Sequence, residues 1–519
     1  MICRVTSRLR LLASIPALAI LLCAQAAHAK IRYQISLART DTHAFEVTIE
    51  IPQPSFGMRL AMPAWNALYQ VRDFAYRIRD LSAVPAARDG RAGGPVPVAS
   101  LDKQTWRIEL PEGEYPESLA VTYAIEWNDA GPFDSQLNQH HAFLNLAEIL
   151  MYVPDRRAEP VEVDFENLPS GWKLIAELPA GSETNSFTAP SYDAVVDAPV
   201  EAGNFEEFDF DEGGAHFRVA VDARSYGMSR LADYLRRITA YELGLMDGPP
   251  FPEYTFLVHL GPSSEVGEGG MEHANCAALS ADSVDDLVNL SAHEFFHAWN
   301  VKRIRPQSLE PVDYSRAQYT RSLWFAEGVT STYAAYTLVR TGLWSKREFY
   351  NDLATQISEL ESRPARAWQS VEDSSIDAWL EKYEAYNLPN RSISYYNKGQ
   401  ILGVMLDLAI RSATDDRKSL DDMMRLMNQK YAKQHLFYDD DRGIRLAAEQ
   451  VAGGSLGAFF ARYVAGVEEI PYRDFLAEAG LELKTDGTGP GARYSIAEIS
   501  NPTPEQRRIR EGLLRGTDN

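Results

Sequence analysis

The stretch from Ser291 to Trp299 contains the pattern His-Glu-x-x-His, with His293 and His297 four residues apart. On an α-helix of about 3.6 residues per turn, side chains at this spacing lie on one face, one turn apart. Two imidazoles placed in this way can bind one zinc ion, and Glu294 can activate a water molecule beside it. The pattern therefore predicts one zinc ion per chain and a hydrolytic reaction.

The residues before this pattern favour a helix with one buried face. Asp282 and Ser283 have side chains that can cap the N-terminus of a helix. The apolar residues that follow at helical spacing are Val284, Leu287, Val288 and Leu290. Because a fully exposed helix would not carry this run of apolar residues, we expect the two imidazoles to lie on a helix packed against the core.

A catalytic zinc ion needs a third protein ligand and an open position for water, and Glu327 is the best candidate for that ligand. It lies 30 residues after His297. This interval leaves room for a loop and a second, antiparallel helix, which is predicted from about Arg321 to about Arg340. The metal set predicted from the sequence is therefore His293, His297 and Glu327.

The surroundings of Glu327 also point to a buried partner. Three apolar residues, Trp324, Phe325 and Ala326, precede it directly, and a carboxylate buried among such residues is costly without a partner. A zinc ion is one suitable partner. A buried salt bridge to the basic segment 303–305 (Arg303 or Arg305) is the alternative.

A glycine pair before an acidic residue is a second feature suited to peptide chemistry. Gly269 and Gly270 allow a backbone to approach a ligand closely, and an edge strand next to them can pair with an extended peptide. Glu272 can then bind the free α-ammonium group of the substrate, which would restrict cleavage to the first residue. An exposed turn with a surface glutamate is the alternative.

Together these motifs resemble the glycyl aminopeptidase family of gluzincin zinc peptidases. Residues 269–273 are similar to that family's Gly-Gly-x-Glu-His element, and residues 395–399 (Tyr-Tyr-Asn-Lys-Gly) are similar to the Tyr-x-Lys-Gly element of larger zinc aminopeptidases. The likeness extends from about Phe205 to Leu483. It implies a zinc aminopeptidase that acts on peptides with a free N-terminus. A preference for small first residues, Gly or Ala, is implied by the resemblance alone.

The tyrosine of the last motif has a possible role in catalysis. Tyr396 can donate its hydroxyl to the oxyanion of the tetrahedral intermediate. Tyr395 is the rival donor, and an ordinary core or rim aromatic is the alternative for either residue. The chain has 25 tyrosines, so a tyrosine by itself indicates little. The assignment of Tyr396 depends on its position in the motif.

Two functions other than an aminopeptidase remain open from the sequence. A zinc endopeptidase would use the same metal site without needing Glu272 to bind an amine. A catalytically silent peptide-binding protein on a peptidase scaffold is the second alternative. The presence of Glu294 argues against the silent protein, because loss of that general base is the expected mark of an inactive relative.

Composition and charge agree with a large enzyme. The chain has 519 residues, of which 45% are hydrophobic and 24% charged, with a formal net charge of −22. This size and composition predict two or three domains with their own cores. The acidity argues against nucleic acid and anionic membranes as partners.

The first residues are typical of a secretory signal peptide. Three arginines within the first ten residues precede the apolar run Leu11–Ala24, and small residues end at Ala29. The run is short for a membrane span, so we expect cleavage after Ala29, a secreted or periplasmic protein and no membrane in the mature form. Of the three cysteines, Cys276 would then remain alone, and a small buried residue is favoured for it over a nucleophile.

The predicted fold class is α+β. After the signal peptide (1–29), alternating segments predict a β-rich N-terminal domain (30–220). A thermolysin-like gluzincin catalytic domain (221–365) and its helical C-terminal part (366–483) follow, and residues 484–519 are predicted to form a polar tail. Relatives often continue into a PDZ domain, which is expected to be absent or truncated here.

Overall fold

The computed structural model describes residues 30–66, 72–86, 93–111, 116–381 and 383–516. The predicted signal peptide, residues 1–29, lies outside these ranges. One hydrophobic core is formed mainly by the N-terminal strands, and a second extends from Phe210 to Leu513. The mixed α+β class, with a β-rich N-terminal region followed by a helical region, is confirmed.

The N-terminal domain is built from strands with alternating burial. Along the first strand, Ile31, Tyr33, Ile35 and Leu37 are buried while the intervening residues are more exposed, so one face of the strand packs on the core. The elements of this domain are β1 (Ile31–Arg39), β2 (Ala44–Pro52), β3 (Arg59–Ala61), β4 (Ile78–Ala86), β5 (Val98–Ser100), β6 (Thr105–Ile108), β7 (Ser118–Glu126), β8 (Gln136–Leu137), β9 (His141–Leu144), α1 (Leu146–Ile149), β10 (Val161–Glu166), β11 (Lys173–Ala176), β12 (Ser186–Ala189), α2 (Tyr192–Val196) and β13 (Val200–Gly203). They form sheets of strand order β12-β10-β1-β2-β7-β4, β3-β6-β5 and β11-β13-β9-β8.

The catalytic sheet follows, in the order β14-β15-β16-β18-β17. Its elements and the first helices around it are β14 (Glu206–Glu212), β15 (Ala215–Ala223), α3 (Met228–Leu245), β16 (Glu253–Leu260), α4 (Ser263–Val266), β17 (Gly269–Glu272), β18 (Cys276–Ala281) and α5 (Leu287–Phe296). The predicted domain boundary at 220 therefore falls inside β15. The hairpin β14-β15 has the same alternating pattern as the N-terminal strands, and only its parallel pairing with β16 assigns it to the catalytic sheet.

Both faces of the catalytic sheet are covered, which explains why its central strands β16 and β18 are buried along almost their whole length. On one face, α3 and α5 contribute Leu235 and Phe295 to the large core. On the other face, Phe143 and Ile175 of the N-terminal domain pack against residues of the sheet that include Cys276. The N-terminal domain is thus part of the support of the catalytic sheet.

The remaining helices share the core of the catalytic sheet. They comprise a π-helical segment (Trp324–Val329), α6 (Thr330–Arg340), α7 (Lys346–Ser362), α8 (Val371–Ile376), α9 (Tyr395–Ala413), α10 (Leu420–Lys430), α11 (Gly443–Ala452), α12 (Gly457–Phe459), a second π-helical segment (Phe460–Val464) and α13 (Tyr472–Glu478). Among the described helices, none combines the length and the apolar character needed to span a membrane.

The segment that the sequence predicts as a polar tail is folded as far as residue 516. Strands β19 (Leu481–Asp486) and β20 (Arg493–Glu498) form a hairpin, and α14 (Pro504–Arg515) follows. Ile509 and Leu513 are buried on one face of α14. The segment is polar on average, and two apolar residues four positions apart attach its helix to the core.

Candidate metal centre and peptide-binding cleft

The helix α5 brings the two predicted histidines together. It begins at Leu287, later than the sequence predicts, with Asp286 at the N-cap and no side-chain cap. The predicted caps act elsewhere, since Asp282 accepts a hydrogen bond from the Ser263 amide and the Ser283 hydroxyl donates to Asp286. The last helical residue is Phe296. His297 at the C-cap keeps helical backbone angles, so it still lies one turn beyond His293.

The predicted metal ligands converge on one point. Glu327 Oε2 lies 3.3 Å from His293 Nε2 and 3.2 Å from His297 Nε2, and the two Nε2 atoms are 3.0 Å apart. Ligand atoms about 2.0–2.1 Å from a tetrahedral zinc ion are about 3.3 Å from one another. The spacing and the N, N, O donor set therefore fit a zinc ion.

Hydrogen bonds at the Nδ1 atoms of the two histidines leave both Nε2 atoms available for a metal ion. His297 Nδ1 donates to the carbonyl of Asn300 at 2.6 Å. The Ser331 hydroxyl donates to the Glu327 carbonyl at 3.0 Å, so its oxygen can accept from His293 Nδ1 at 3.3 Å. Such partners fix the tautomer of metal-binding histidines. Neither residue is indicated by the sequence, because Asn300 acts through its backbone carbonyl and Ser331 reaches His293 only where two helices pack together.

Glu327 is buried, and the histidines are its partners. The alternative salt bridges do not form, since Arg303 donates to Ala274 O and Asn275 Oδ1, and Arg305 pairs with Glu310. Burial alone would raise the pKa of Glu327, but the charge of His297 lowers it. Burial alone would lower the pKa of His297, but Glu327 raises it to about 10. A metal ion would take the place of that proton.

Glu294 lies beside the metal ligands with one oxygen unused. Its side chain is buried, and Oε2 makes no hydrogen bond within the described residues. A Cβ at Gly270 would lie 2.4 Å from Glu294 Cγ, so only glycine fits opposite this carboxylate. Burial raises the pKa of Glu294 well above its usual value, in opposition to the charge of His297. A buried carboxylate with a free oxygen next to a metal site has the placement of a general base.

The edge strand β17 carries the glycine pair and Glu272. It pairs with β18 on one side, with Gly269 opposite Ser280, and is the last strand of the sheet. Gly269 has a φ of +123°, and a Cβ there would lie 2.8 Å from the Phe133 ring. Glu272 is buried at the far end of the strand, where its carboxylate, that of Glu294 and an imidazole nitrogen of His297 all lie within 4.8 Å of one another.

Tyr395 and Tyr396, at the start of α9, have different surroundings. Tyr396 is 39% exposed as a residue, and its ring stacks on His293 with ring centroids 6.1 Å apart. Tyr395 is buried, and its hydroxyl donates to Glu381 at 3.3 Å. Desolvation, followed by the charge of Glu327, raises the pKa of Tyr396, so its hydroxyl keeps its proton. The geometry favours Tyr396 as the donor to the cleft.

The candidate metal ligands, Glu294, Glu272, the glycine pair and Tyr396 line one cavity of about 710 Å³, whereas Tyr395 lies outside its lining. Phe133, from the N-terminal domain, lines it as well, and the backbone carbonyl of Phe133 accepts a hydrogen bond from Arg72 at 2.6 Å. No signal in the sequence indicates Phe133, because it comes from a loop more than 100 residues before the catalytic motifs. Cys276 lies outside the cavity lining. It is buried, burial raises its thiol pKa, and it has the surroundings of a core residue.

Two glycines hold the helices of Glu327 and Tyr396 in close contact. A Cβ at Gly328 would lie 2.4 Å from Gly399 Cα, and a Cβ at Gly399 would lie 2.3 Å from the carbonyl oxygen of Trp324. The backbones therefore touch directly, which accounts for the glycine in the Tyr-x-Lys-Gly element.

We expect Gly399→Ala to push α9 away from the π-helical segment. Overpacking of this kind costs about 1–3 kcal/mol of stability, and it should also displace Tyr396 from His293. Thermal unfolding and kcat of the purified variant check this, with Gly454→Ala as a control, since a Cβ at Gly454 meets no atom within 4 Å. Unchanged kcat and stability in Gly399→Ala would contradict the close contact.

A helix that carries candidate metal ligands, beside an edge strand that can pair with a peptide, is the arrangement expected of a metallopeptidase. Residues 32–204 match the model of the peptidase M61 N-terminal domain, and residues 286–402 match that of the M61 glycyl aminopeptidase. The two models together span more than half of the chain. The protein therefore belongs to the M61 family of zinc metallopeptidases, which confirms the resemblance seen in its motifs.

One solved structure supports this assignment. The chain is similar to the crystal structure of an aminopeptidase N family protein from Idiomarina loihiensis, with a TM-score of 0.82 and 26% identity over 88% of this chain and 79% of that one. A crystal structure of an M1 zinc metallopeptidase from Deinococcus radiodurans matches with a TM-score of 0.48 and 16% identity over 85% of this chain and 94% of that one. This second likeness is too distant to carry an argument. A comparison with curated proteins found no match.

Proposed function

We propose that this metallopeptidase is a zinc aminopeptidase that removes the first residue of peptides. The observation that carries the proposal is the position of Glu272. Its carboxylate lies at the end of the edge strand, close to Glu294 and His297, and it belongs neither to the metal ligands nor to the base. A substrate's α-ammonium group bound there would bring the first peptide bond to the metal.

The chain's own residues then have distinct tasks. A zinc ion held by His293, His297 and Glu327 would supply Lewis acidity for the scissile carbonyl and for the attacking water. Glu294 takes the proton from that water and passes it to the leaving amine. The Tyr396 hydroxyl donates to the oxyanion, and the free edge of β17 at Gly269 and Gly270 accommodates the extended backbone of the substrate.

Substrate size and location belong to the same proposal. The matching family model describes glycyl aminopeptidases, so Gly and Ala are proposed as first residues. Residues 1–29 have the pattern of a signal peptide, and we propose a secreted or periplasmic enzyme that begins at Lys30. N-terminal sequencing of the exported chain tests this start.

The zinc endopeptidase remains the second candidate, because the same metal site would serve it. The experiment that separates the two functions compares peptides that differ only in a free or acetylated N-terminus, with and without a chelator. The aminopeptidase cleaves only the free peptides and loses activity when its metal is removed. Equal cleavage of both peptides would promote the endopeptidase, and cleavage of neither would promote a silent peptide-binding protein.

The variant Glu272→Ala gives a sharper test. A charge-assisted hydrogen bond contributes roughly 1.5–3 kcal/mol, so kcat/KM on free-amine substrates should fall by about 10–100-fold. Blocked peptides should be poor substrates of the native enzyme and no poorer for the variant. Glu265→Ala, which removes an exposed carboxylate paired with Arg224, serves as the matched control. An unchanged kcat/KM in Glu272→Ala would contradict the amine-binding role.

A further inference from the structure

An aspartate of the N-terminal domain reaches the turn that follows the amine-binding strand. Asp197, the C-cap of α2, accepts a hydrogen bond from the Ala274 amide at 2.9 Å through Oδ2. Its Oδ1 lies 2.6 Å from Lys302 Nζ and 3.5 Å from His273 Nδ1. His273 and Ala274 directly follow Glu272 in the chain. One carboxylate from the other domain therefore contacts both residues after Glu272 and a nearby lysine.

The turn after β17 has further fixed contacts. The His273 amide donates to the Cys276 carbonyl at 2.9 Å, and Arg303 donates to the Ala274 carbonyl at 2.8 Å. With the Asp197 contact, both the amide and the carbonyl of Ala274 are hydrogen-bonded. The position of the Glu272 backbone is thus set jointly by the catalytic domain and by the N-terminal domain.

Asp197 also has an electrostatic role, because it forms an ion pair with Lys302. The lysine side chain is only 12% exposed, and in the described part of the chain its ion pair is with Asp197. Lys302 lies near the residue that follows Glu272, because Lys302 Nζ and His273 Nδ1 approach the same Asp197 oxygen, at 2.6 Å and 3.5 Å. In agreement with this geometry, burial and the charge of Glu327 raise the pKa of Glu272, while the charges of His297 and Lys302 lower it. An ammonium group that lost Asp197 would turn to another carboxylate, because an unpaired buried charge is costly.

We propose that Asp197 is a positioning residue for the amine-binding Glu272: it holds the turn after β17 and keeps Lys302 paired, which leaves the charge of Glu272 for the substrate's α-ammonium. This inference rests on the proposed aminopeptidase function. It gives the N-terminal domain a part in substrate recognition. Without Asp197, the Lys302 ammonium would compete with the substrate for the same carboxylate.

The test is a double-variant comparison on a free-amine substrate such as alanyl p-nitroanilide. Asp197→Asn keeps the size of the side chain and an oxygen for the Ala274 amide but removes the charge. We expect KM to rise about tenfold with kcat little changed, a loss expected for one competing charge-assisted contact. Adding Lys302→Met removes the competing cation and should return KM to near the native value. Asp193→Asn, which removes a charge on the same helix in a pair with Arg157, is the matched control.

The outcomes separate this inference from a structural role and from the proposed function. A merely structural role predicts that kcat and thermal stability fall in Asp197→Asn and that Lys302→Met brings no recovery, which would overturn the inference. If Asp197→Asn does not fold, the double variant Asp197→Asn/Lys302→Met is tested instead, because it replaces the buried ion pair by two neutral groups. If this double variant folds and its KM is raised, the inference is overturned. Equal cleavage of free and acetylated peptides by the native enzyme refutes the aminopeptidase itself. A native preference for free amines with no KM change in Asp197→Asn refutes only the role of Asp197.

Discussion

A variant with both His293 and His297 replaced by alanine is expected to contain no zinc in the catalytic site and to have no measurable peptidase activity. The two imidazoles and Glu327 are mutually 3.0–3.3 Å apart, so each would supply one ligand atom to the zinc ion, and the double variant keeps only one of the three. Without the metal, neither the scissile carbonyl nor the attacking water is activated. Elemental analysis and turnover of a dipeptide measure the two effects.

The control for the double variant is His216→Ala, which removes an exposed imidazole paired with Asp211 and should leave zinc and activity unchanged. A second cluster of histidine and glutamate side chains could also hold a metal ion and would then contribute to the measured zinc content. His141 and His259 both lie 3.0 Å from oxygens of Glu201 in the interdomain region, where hydrogen bonds already satisfy the carboxylate. Native zinc content in the double variant would place the metal outside the His-Glu-x-x-His site and overturn the assignment.

Replacing Glu294 by glutamine is expected to preserve zinc and fold but to reduce kcat by several orders of magnitude. General-base catalysis alone contributes about 10²–10⁴-fold, and glutamine cannot accept the proton of the attacking water. The substitution keeps the side-chain volume against Gly270, so little repacking is expected. Single-turnover kinetics on the metal-loaded variant, with the zinc content measured in the same sample, separate the loss of chemistry from the loss of metal.

Two comparisons make this result specific to Glu294. Glu265→Gln changes an exposed carboxylate in the same way and should retain native kcat. The pH profile provides a second readout, because a rate that depends on Glu294 loses its acidic limb when that group no longer titrates. Turnover within a few-fold of native in a zinc-loaded Glu294→Gln protein would assign the base to another residue.

The helices and the chemical groups of the site could be predicted from short stretches of the sequence. The helix predicted from about Arg321 to about Arg340 is present as the π-helical segment Trp324–Val329, which continues directly into α6 (Thr330–Arg340). The structure brings the two imidazoles, Glu294 and Glu327 together in one place, and their roles stay predictions. These features follow from residue types at helical spacing and from a carboxylate set among apolar residues, which are properties of a short stretch of chain.

The tertiary structure decided what depends on distant parts of the chain. Nothing in the sequence places Phe133 in the cleft or Asp197 beside the turn after Glu272, because each is brought there by packing between two domains. The choice between Tyr395 and Tyr396 likewise depends on which ring faces His293. The sequence by itself thus determined the chemical groups and the helices that carry them. Only the tertiary structure decided their partners, because hydrogen bonds and ion pairs between distant segments depend on how the sheets and helices pack.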